Sequence, residues 1–370
     1  MLNRSLLNFV TPEWLTTEFY RRGLLQQGRV ADVCYTHLSV PDTSARLWRL
    51  RLRYGDENTS PGLPEQIVMK CRPGHSGMTE VALFQLFQAH AIQCQTVIPA
   101  QSWGYRPADG LGYLLMDDLT HSHVVLMTQQ EACMMERTPD DIQTSAAIDA
   151  LARFHGACWK QDVLKNAAPI LGQGCFWNRE QQFATNLSTR QQEFDSFRCA
   201  VQSWFPADVL QQIATILPRL ATLWRNHLQT RLARLQQVTV VHGDCYFRHF
   251  LYPRENSKSP VYLFDFDQVT VQTPAYDLVQ LLVSYWTPTI RRQNQREKQL
   301  LQCYHAALVD TGVDDYSFEQ LMSDYRLMIV FQLFAAIKEQ VRGCARPLWF
   351  NRLACLLGAF QDLDCQQLFS

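Results

Sequence analysis

Two acidic residues, Asp244 and Asp265, have the sequence setting that most clearly indicates chemistry in this chain. Asp244 follows an apolar run in the segment VVHGDCYFRH (residues 240–249), and Asp265 ends a second apolar run, VYLFD (261–265). Two strands that end side by side would bring both carboxylates to one place. One carboxylate can then accept a proton from an attacking hydroxyl while the other holds a Mg²⁺ ion that bridges phosphates. The pattern therefore predicts metal-assisted phosphoryl transfer, with Asp244 as the catalytic base and Asp265 as a metal ligand.

The wider pattern resembles the aminoglycoside phosphotransferase superfamily, whose members include choline kinases and ecdysteroid-kinase-like proteins. That family writes its catalytic loop as HGD, four variable residues and Asn, and its metal segment as IDF or IDW with DLA at a fixed distance. Here HGD stands at residues 242–244, and DLV begins at Asp277, twelve residues after Asp265. LARFHGACW (151–159) is similar to the family's LAxxHxxxW helix, and TPEWL (11–15) looks like the ecdysteroid-kinase branch.

The resemblance implies a bilobal, protein-kinase-like α+β fold. A small β-rich lobe would cover residues 1–116, a hinge 117–120 and a larger, mainly helical lobe 121–370. The resemblance also implies ATP and Mg²⁺ as cofactors and a hydroxyl of a small molecule as the phosphoryl acceptor. The short distance from Asp265 to Asp277 leaves no room for the long activation loop with which protein kinases organise a peptide substrate. The chain is therefore expected to be a small-molecule kinase.

Position 249 departs from the family pattern. The family has an Asn as a magnesium ligand five residues after the catalytic Asp, and this chain has His249 there. Imidazole is a poorer partner than an amide oxygen for a hard cation such as Mg²⁺. Three alternatives stay open: His249 binds the metal, with Mn²⁺ as a softer choice; Asp267 supplies a replacement carboxylate; or the chain binds nucleotide weakly. The last alternative describes a pseudokinase, a nucleotide-binding or scaffold protein without phosphoryl transfer.

Lys70 and Glu80 are the candidates for anchoring the ATP phosphates. Lys70 ends the apolar run IVMK, and Glu80 stands at the start of the next predicted helix. A strand lysine oriented by a helix glutamate is the arrangement with which a kinase small lobe holds nucleotide. Both residue types are common at surfaces, so an unrelated surface role is the alternative. The phosphate-covering turn expected at residues 40–45 has no glycine, which hinders close approach of its backbone to phosphate and favours the pseudokinase alternative.

The predicted hinge follows the strand GYLLM at residues 112–116. In a kinase-like fold, backbone groups of the hinge would meet the adenine. This makes three more residues candidates for cofactor binding: Asp117, Asp118 and Leu119.

Several conspicuous side chains are expected to be structural. His242 is expected to hydrogen-bond nearby backbone and fix the loop, and His155 is expected to be a structural helix histidine. Asp277 is predicted to cap the helix that it opens. Tyr285 and Trp286 could form a cage around a quaternary ammonium group, but core or groove lining is the commoner use of such residues.

Composition narrows the function classes. A hydrophobic content of 47% with 19% charged residues is typical of a globular protein. The net charge of −1 gives no electrostatic reason to expect nucleic-acid binding. The twelve cysteines contain no CxxC pair, and residues 1–10 lack the apolar core of a signal peptide, which together favour the reducing cytoplasm. The longest apolar stretch, residues 328–337, is too short to span a bilayer, and the run 328–334 within it is expected to form a core helix. The oligomeric state is left open.

Overall fold

The computed structural model describes five stretches of the chain: residues 8–38, 45–55, 62–171, 180–254 and 259–369. Most of the turn predicted to cover phosphate lies outside these stretches. The chain divides into two compact units, Met1–Gln88 with Val97–His123, and Ala89–Thr96 with Val124–Ser370. The predicted hinge falls near the end of the first unit, and its role as a hinge stays a prediction.

The first unit is built on a five-stranded antiparallel sheet. Its elements in chain order are α1 (Pro12–Arg21), β1 (Val30–Leu38), β2 (Arg46–Tyr54), β3 (Gln66–Pro73), α2 (Gly74–Ala89), β4 (Ala100–Arg106) and β5 (Leu111–Asp117). The strand order is β1–β2–β3–β5–β4. Helix α1 begins at Thr11, whose hydroxyl accepts the N–H of Trp14, and Pro12 follows it in the first turn. Both features are favoured at helix starts.

The two faces of this sheet have different neighbours. One face packs on α1, where Leu15 and Phe19 join Ile67 of β3 in a buried core. Side chains alternate along a strand, so Lys70 lies on the opposite face from Ile67. Lys70 stands directly across from Leu114 of β5. The sheet thus separates its hydrophobic core from the face that carries the charged candidate residue.

The second unit is mainly helical, with two small sheets. After β6 (His123–Val125), at the boundary between the units, its elements are α3 (Gln129–Cys133), α4 (Asp141–Ala157), α5 (Gln161–Leu171), α6 (Glu180–Val201), α7 (Ala207–Ile216), α8 (Leu220–Trp224), α9 (Thr230–Arg234), β7 (Thr239–Val241), β8 (Phe250–Pro253), β9 (Tyr262–Leu263), β10 (Thr270–Gln272), α10 (Ala275–Leu282), α11 (Pro288–Arg292), α12 (Arg296–Asp310), α13 (Phe318–Val341) and α14 (Arg346–Asp362). The sheets have the orders β6–β8–β9 and β7–β10.

Helix α13 forms the centre of the helical unit. It begins at a Ser317 cap and buries residues on all sides, including nearly all of the predicted core run. It packs against α6, α10 and α14. The expectation of a core helix here is confirmed. Within the described stretches, no helix is long and apolar enough to cross a membrane. A small sheet unit and a larger helical unit make up the α+β class that the sequence predicted, and that prediction is also confirmed.

Candidate active site

The HGDC sequence after β7 forms a loop whose backbone is held by two side chains of α10. The N–H groups of His242 and Gly243 donate to the two carboxylate oxygens of Asp277, at 2.6 and 2.9 Å. The N–H of Cys245 donates to Oε1 of Gln280 at 2.7 Å, and the Gln280 amide donates back to the Gly243 carbonyl at 2.9 Å. The loop is therefore braced by a neighbouring helix.

Asp277 is fully buried and belongs to a chain of polar contacts that reaches α4 and α12. Nε2 of His155 lies 3.1 Å from Oδ2 of Asp277, and Nδ1 of His155 lies 2.7 Å from the Tyr304 hydroxyl. Burial raises the pKa of Tyr304 well above its usual range, so the phenol stays protonated and can donate. The predicted helix-cap role of Asp277 is wrong, because Pro274 precedes the helix and the carboxylate accepts from the loop instead. His155 has the structural role expected of it.

His242 joins the HGDC loop to the segment that carries Asp265. Its Nδ1 accepts the N–H of Asp244 at 3.3 Å, so the ring proton is on Nε2. Nε2 donates to the carbonyl of Phe264 at 2.9 Å. The expectation that His242 fixes the loop through backbone hydrogen bonds is confirmed.

Asp244 projects from this braced loop with 30% of its side chain exposed. Its Oδ2 accepts a hydrogen bond from Nη2 of Arg248 at 3.0 Å. Burial raises the pKa of this carboxyl, but Arg248, His249 and His242 together lower it more, so the pKa lies below its usual range. Asp244 is therefore ionised at neutral pH and able to accept a proton.

His249 is buried, with 8% of its side chain exposed, and both of its ring nitrogens have partners. Nδ1 lies 2.6 Å from the backbone carbonyl of Asp244, which can only accept, so Nδ1 carries the proton. Nε2 then accepts the Nε–H of Arg248 at 3.1 Å. Burial, together with the charge of Arg248, lowers the pKa of His249 to about 4. The ring is neutral at physiological pH, in agreement with this tautomer.

Asp265 lies just beyond β9 with its backbone in the left-handed region, at φ +71°. A non-glycine residue in that region typically costs about 1–3 kcal/mol, and such strain concentrates at functional sites. Oδ2 of Asp265 is 3.7 Å from Nε2 of His249, and a fifth of the Asp265 side chain is exposed. Asp267 is also partly exposed, and its Oδ2 accepts from the Gln268 amide at 3.3 Å. The structure thus brings Asp244, His249 and Asp265 together.

Aromatic rings near the loop are covered by the protein's own arginines. The Arg248 guanidinium lies 4.5 Å from the Tyr246 ring centroid, and that of Arg296 lies 4.4 Å from Trp286. Trp286 also stacks on Phe247. Guanidinium groups therefore take the positions that a quaternary ammonium group would need over these rings.

In the first unit, Lys70 and Glu80 form a buried ion pair. Nζ of Lys70 lies 2.6 Å from Oε1 of Glu80. Lys70 is in the middle of β3, which continues to Pro73, rather than at the strand end. Helix α2 begins at Gly74, so Glu80 lies in its second turn and not at its start. The pairing is the one that the sequence predicted, although the element boundaries were misplaced.

The three hinge candidates have distinct surroundings. Asp117 stands opposite Ile67, so its side chain lies on the α1 side of the sheet, where Oδ1 accepts from the Gln101 amide at 2.6 Å. Asp118 accepts a hydrogen bond from Arg49 at 2.5 Å. Burial raises the pKa of Asp118, but hydrogen bonds from Thr120 and Arg49 together lower it more. The backbone carbonyl of Leu119 accepts the N–H of His123 at 2.8 Å. None of these contacts shows a nucleotide role for the three residues.

Sequence reasoning missed Gln280, which holds the loop backbone. For Arg248 it favoured a solvent-facing or ion-paired side chain over a phosphate contact, and the structure shows an ion pair with Asp244 and a hydrogen bond to His249. Gln280 lies three residues after Asp277 on the same helix face, which is a readable signal once Asp277 is known to face the loop. Across the described stretches, no group of three or more His, Cys, Asp or Glu side chains is arranged to hold a metal ion by itself.

The sheet unit and the helical unit have the architecture of a kinase-like fold. A family model described as the ecdysteroid kinase-like family matches residues 82–314, which is more than half of the chain. The chain therefore belongs to the ecdysteroid kinase-like family. This agrees with the superfamily and the branch that the sequence motifs indicated. Comparison with curated protein sequences found no match.

Solved structures with a similar fold are also phosphotransferases. An ethanolamine kinase from Plasmodium vivax has a TM-score of 0.51 and 9% identity, over 90% of this chain and 84% of that one. A thermostable mutant of aminoglycoside phosphotransferase APH(4)-Ia, in a ternary complex with ADP and hygromycin B, has a TM-score of 0.49 and 12% identity, over 94% of this chain and 98% of that one. At such identities the likeness concerns the fold alone.

Proposed function

We propose that this protein transfers the terminal phosphoryl group of ATP to a hydroxyl group of a small molecule. The observation that carries the proposal is the state of Asp244: an ionised, partly exposed carboxylate at the tip of a loop that α10 holds rigidly. A fixed base within reach of an incoming hydroxyl is what a kinase acceptor site requires. Membership of the ecdysteroid kinase-like family supports the reaction type.

Each remaining site residue has a role in this proposal. Lys70, oriented by Glu80, would contact the ATP phosphates, and backbone groups at 117–119 would contact the adenine. Asp265 offers carboxylate oxygens, which suit a hard cation such as Mg²⁺, and Asp267 is a further candidate ligand. Bound there, Mg²⁺ would neutralise charge on the phosphate oxygens.

The reducing cytoplasm is the proposed location of this activity. All the cysteines of the described stretches are free thiols. Free thiols persist where the cell keeps its proteins reduced.

The alternative is a pseudokinase that binds nucleotide without transferring phosphate. One observation favours it: the Arg248 guanidinium already donates a hydrogen bond to Oδ2 of Asp244, the proposed base. Under this alternative Asp244 serves the structure, and replacing it would leave nucleotide binding unchanged.

Thermal unfolding with nucleotide tests the ATP site first. ATP with Mg²⁺ should raise the melting temperature, since a ligand that binds only the folded state stabilises it by mass action. The shift should vanish in Asp265→Ala and persist in Asp208→Ala, a change at an exposed aspartate of α7. A shift of the same size in the presence of chelator would contradict the proposed metal site.

Phosphoryl transfer to a panel of small alcohols then separates the two candidate functions. Asp244→Ala should keep the nucleotide-dependent shift and lose turnover by at least about a hundredfold, the usual contribution of a general base. Turnover that survives this substitution would rule out Asp244 as the base. A nucleotide shift with no turnover on any acceptor would favour the pseudokinase.

A further inference from the structure

Arg248 has more contacts in the site than an ordinary surface arginine. Its Nη2 donates to Oδ2 of Asp244 at 3.0 Å, and its Nε donates to Nε2 of His249 at 3.1 Å. Its guanidinium also lies over the Tyr246 ring. An exposed ion pair is worth little because two long side chains must be ordered to form it. Here two directed hydrogen bonds and an aromatic face hold the guanidinium, so its charge is fixed beside the proposed base.

His249 has one ring nitrogen whose lone pair could bind a metal, and that lone pair faces Arg248. Its Nδ1–H donates to the backbone carbonyl of Asp244, so only Nε2 has a free electron pair. That pair accepts the Nε–H of Arg248. A metal ion at Nε2 would have to displace the guanidinium and lie next to its positive charge. The side chains present therefore do not fit a divalent cation at position 249.

The geometry points to Arg248 as the second cation of the site, in the place of a second divalent metal. This inference rests on the proposed function. The chain holds one divalent cation, at Asp265, and the fixed guanidinium supplies the other positive charge that the nucleotide phosphates need. His249 is a positioning residue that orients Arg248 by accepting from its Nε. A guanidinium suits this role because it is always charged and presents several N–H donors to phosphate oxygens.

Electron paramagnetic resonance can count the Mn²⁺ ions bound to each chain. The non-hydrolysable analogue AMP-PNP is present in the sample, so the count does not depend on turnover. One Mn²⁺ per chain is expected, lost in Asp265→Ala and retained in His249→Ala. Two Mn²⁺ per chain, or loss of the ion in His249→Ala, would overturn the inference while leaving phosphoryl transfer intact. No bound Mn²⁺ would overturn both the inference and the proposed ATP site.

Nucleotide affinities test the role of Arg248 itself. Arg248→Gln should lower the affinity for AMP-PNP about tenfold or more, as loss of a charge-assisted hydrogen bond would. It should lower the affinity for ADP less, because ADP lacks the third phosphate. Arg248→Lys should restore part of the preference for AMP-PNP. Arg153→Gln, at an exposed arginine of α4, is the matched control. If Arg248→Gln binds AMP-PNP and ADP each with the same affinity as the parent protein, Arg248 only covers Asp244. That result would overturn the inference.

Discussion

At the scale of single residues, position 243 has room only for glycine. Gly243 has φ +82°, and a Cβ atom there would lie 2.1 Å from the backbone carbonyl oxygen of Gln268. A backbone oxygen cannot move aside as the end of a flexible side chain can. Any other residue at position 243 would therefore suffer both backbone strain and a steric clash, immediately before Asp244.

Gly243→Ala is expected to lower the free energy of unfolding by about 2 kcal/mol more than Gly23→Ala. Gly23 also has a positive φ, but a Cβ atom there meets nothing within 4 Å. Gly23→Ala therefore measures the cost of the backbone strain alone. Urea unfolding of both variants measures the difference. Equal losses would mean that the loop near Gln268 moves aside easily.

Residue types at the site were readable from sequence, but their partners were not. The spacing of Asp244 and Asp265 predicted that they would meet, and His249 lies close to both. The direction of Arg248 depends on its rotamer and on the tautomer of His249, which motif spacing does not encode. For the same reason the sequence left open whether His249 would bind metal.

At the scale of elements, α10 supports the HGDC loop. Asp277 and Gln280 lie one turn apart on the same face of the helix, and between them they hold the backbone of residues 242–245. Asp277 is buried and has no contact with solvent. Its carboxylate is thus balanced entirely by hydrogen bonds from the loop and from His155.

Asp277→Asn is expected to destabilise the protein by roughly 3 kcal/mol, because it removes a charged acceptor from a buried network. Asp208→Asn, in the first turn of α7 but exposed, should cost less than about 1 kcal/mol, the scale of a helix-dipole interaction. Chemical denaturation measures both. A loss in Asp277→Asn no larger than in Asp208→Asn would show that the network adds no stability.

Element types were better predicted than element ends. Strand β3 and helix α2 were both expected, but α2 begins at Gly74 rather than near Thr79. The strand runs on to Pro73 because residues 70–73 remain paired with β5. A positive φ at Gly74 then turns the chain directly into the helix. Cross-strand pairing of this kind is a tertiary effect that local sequence does not show.

At the scale of the whole molecule, each unit has its own hydrophobic interior, and the thiols are distributed between interior and surface. Burial raises the pKa of Cys71 in the first unit to about 12, and it raises those of Cys158 and Cys245 in the second well above the usual range. A thiol reacts as its thiolate, so these side chains are protected both by position and by protonation.

Ellman's reagent should therefore modify four of the described cysteines rapidly in the native protein: Cys34, Cys199, Cys303 and Cys344. Peptide mapping by mass spectrometry identifies the modified sites, and unfolding in urea should expose the buried thiols as a control. Rapid native modification of Cys158 or Cys245 would contradict the packing described for the helical unit. Cys175 lies outside the described stretches and is not part of this expectation.

The hydrogen bonds from the backbone of the HGDC loop to α10 have a consequence for hydrogen exchange. The N–H groups of His242, Gly243 and Cys245 all donate to buried side chains of α10, although they lie in a loop. An amide exchanges with solvent only when its hydrogen bond opens. These loop amides should thus exchange as slowly as those of a central helix. Their exchange would report the cooperative opening of α10 and the loop together, rather than local loop motion.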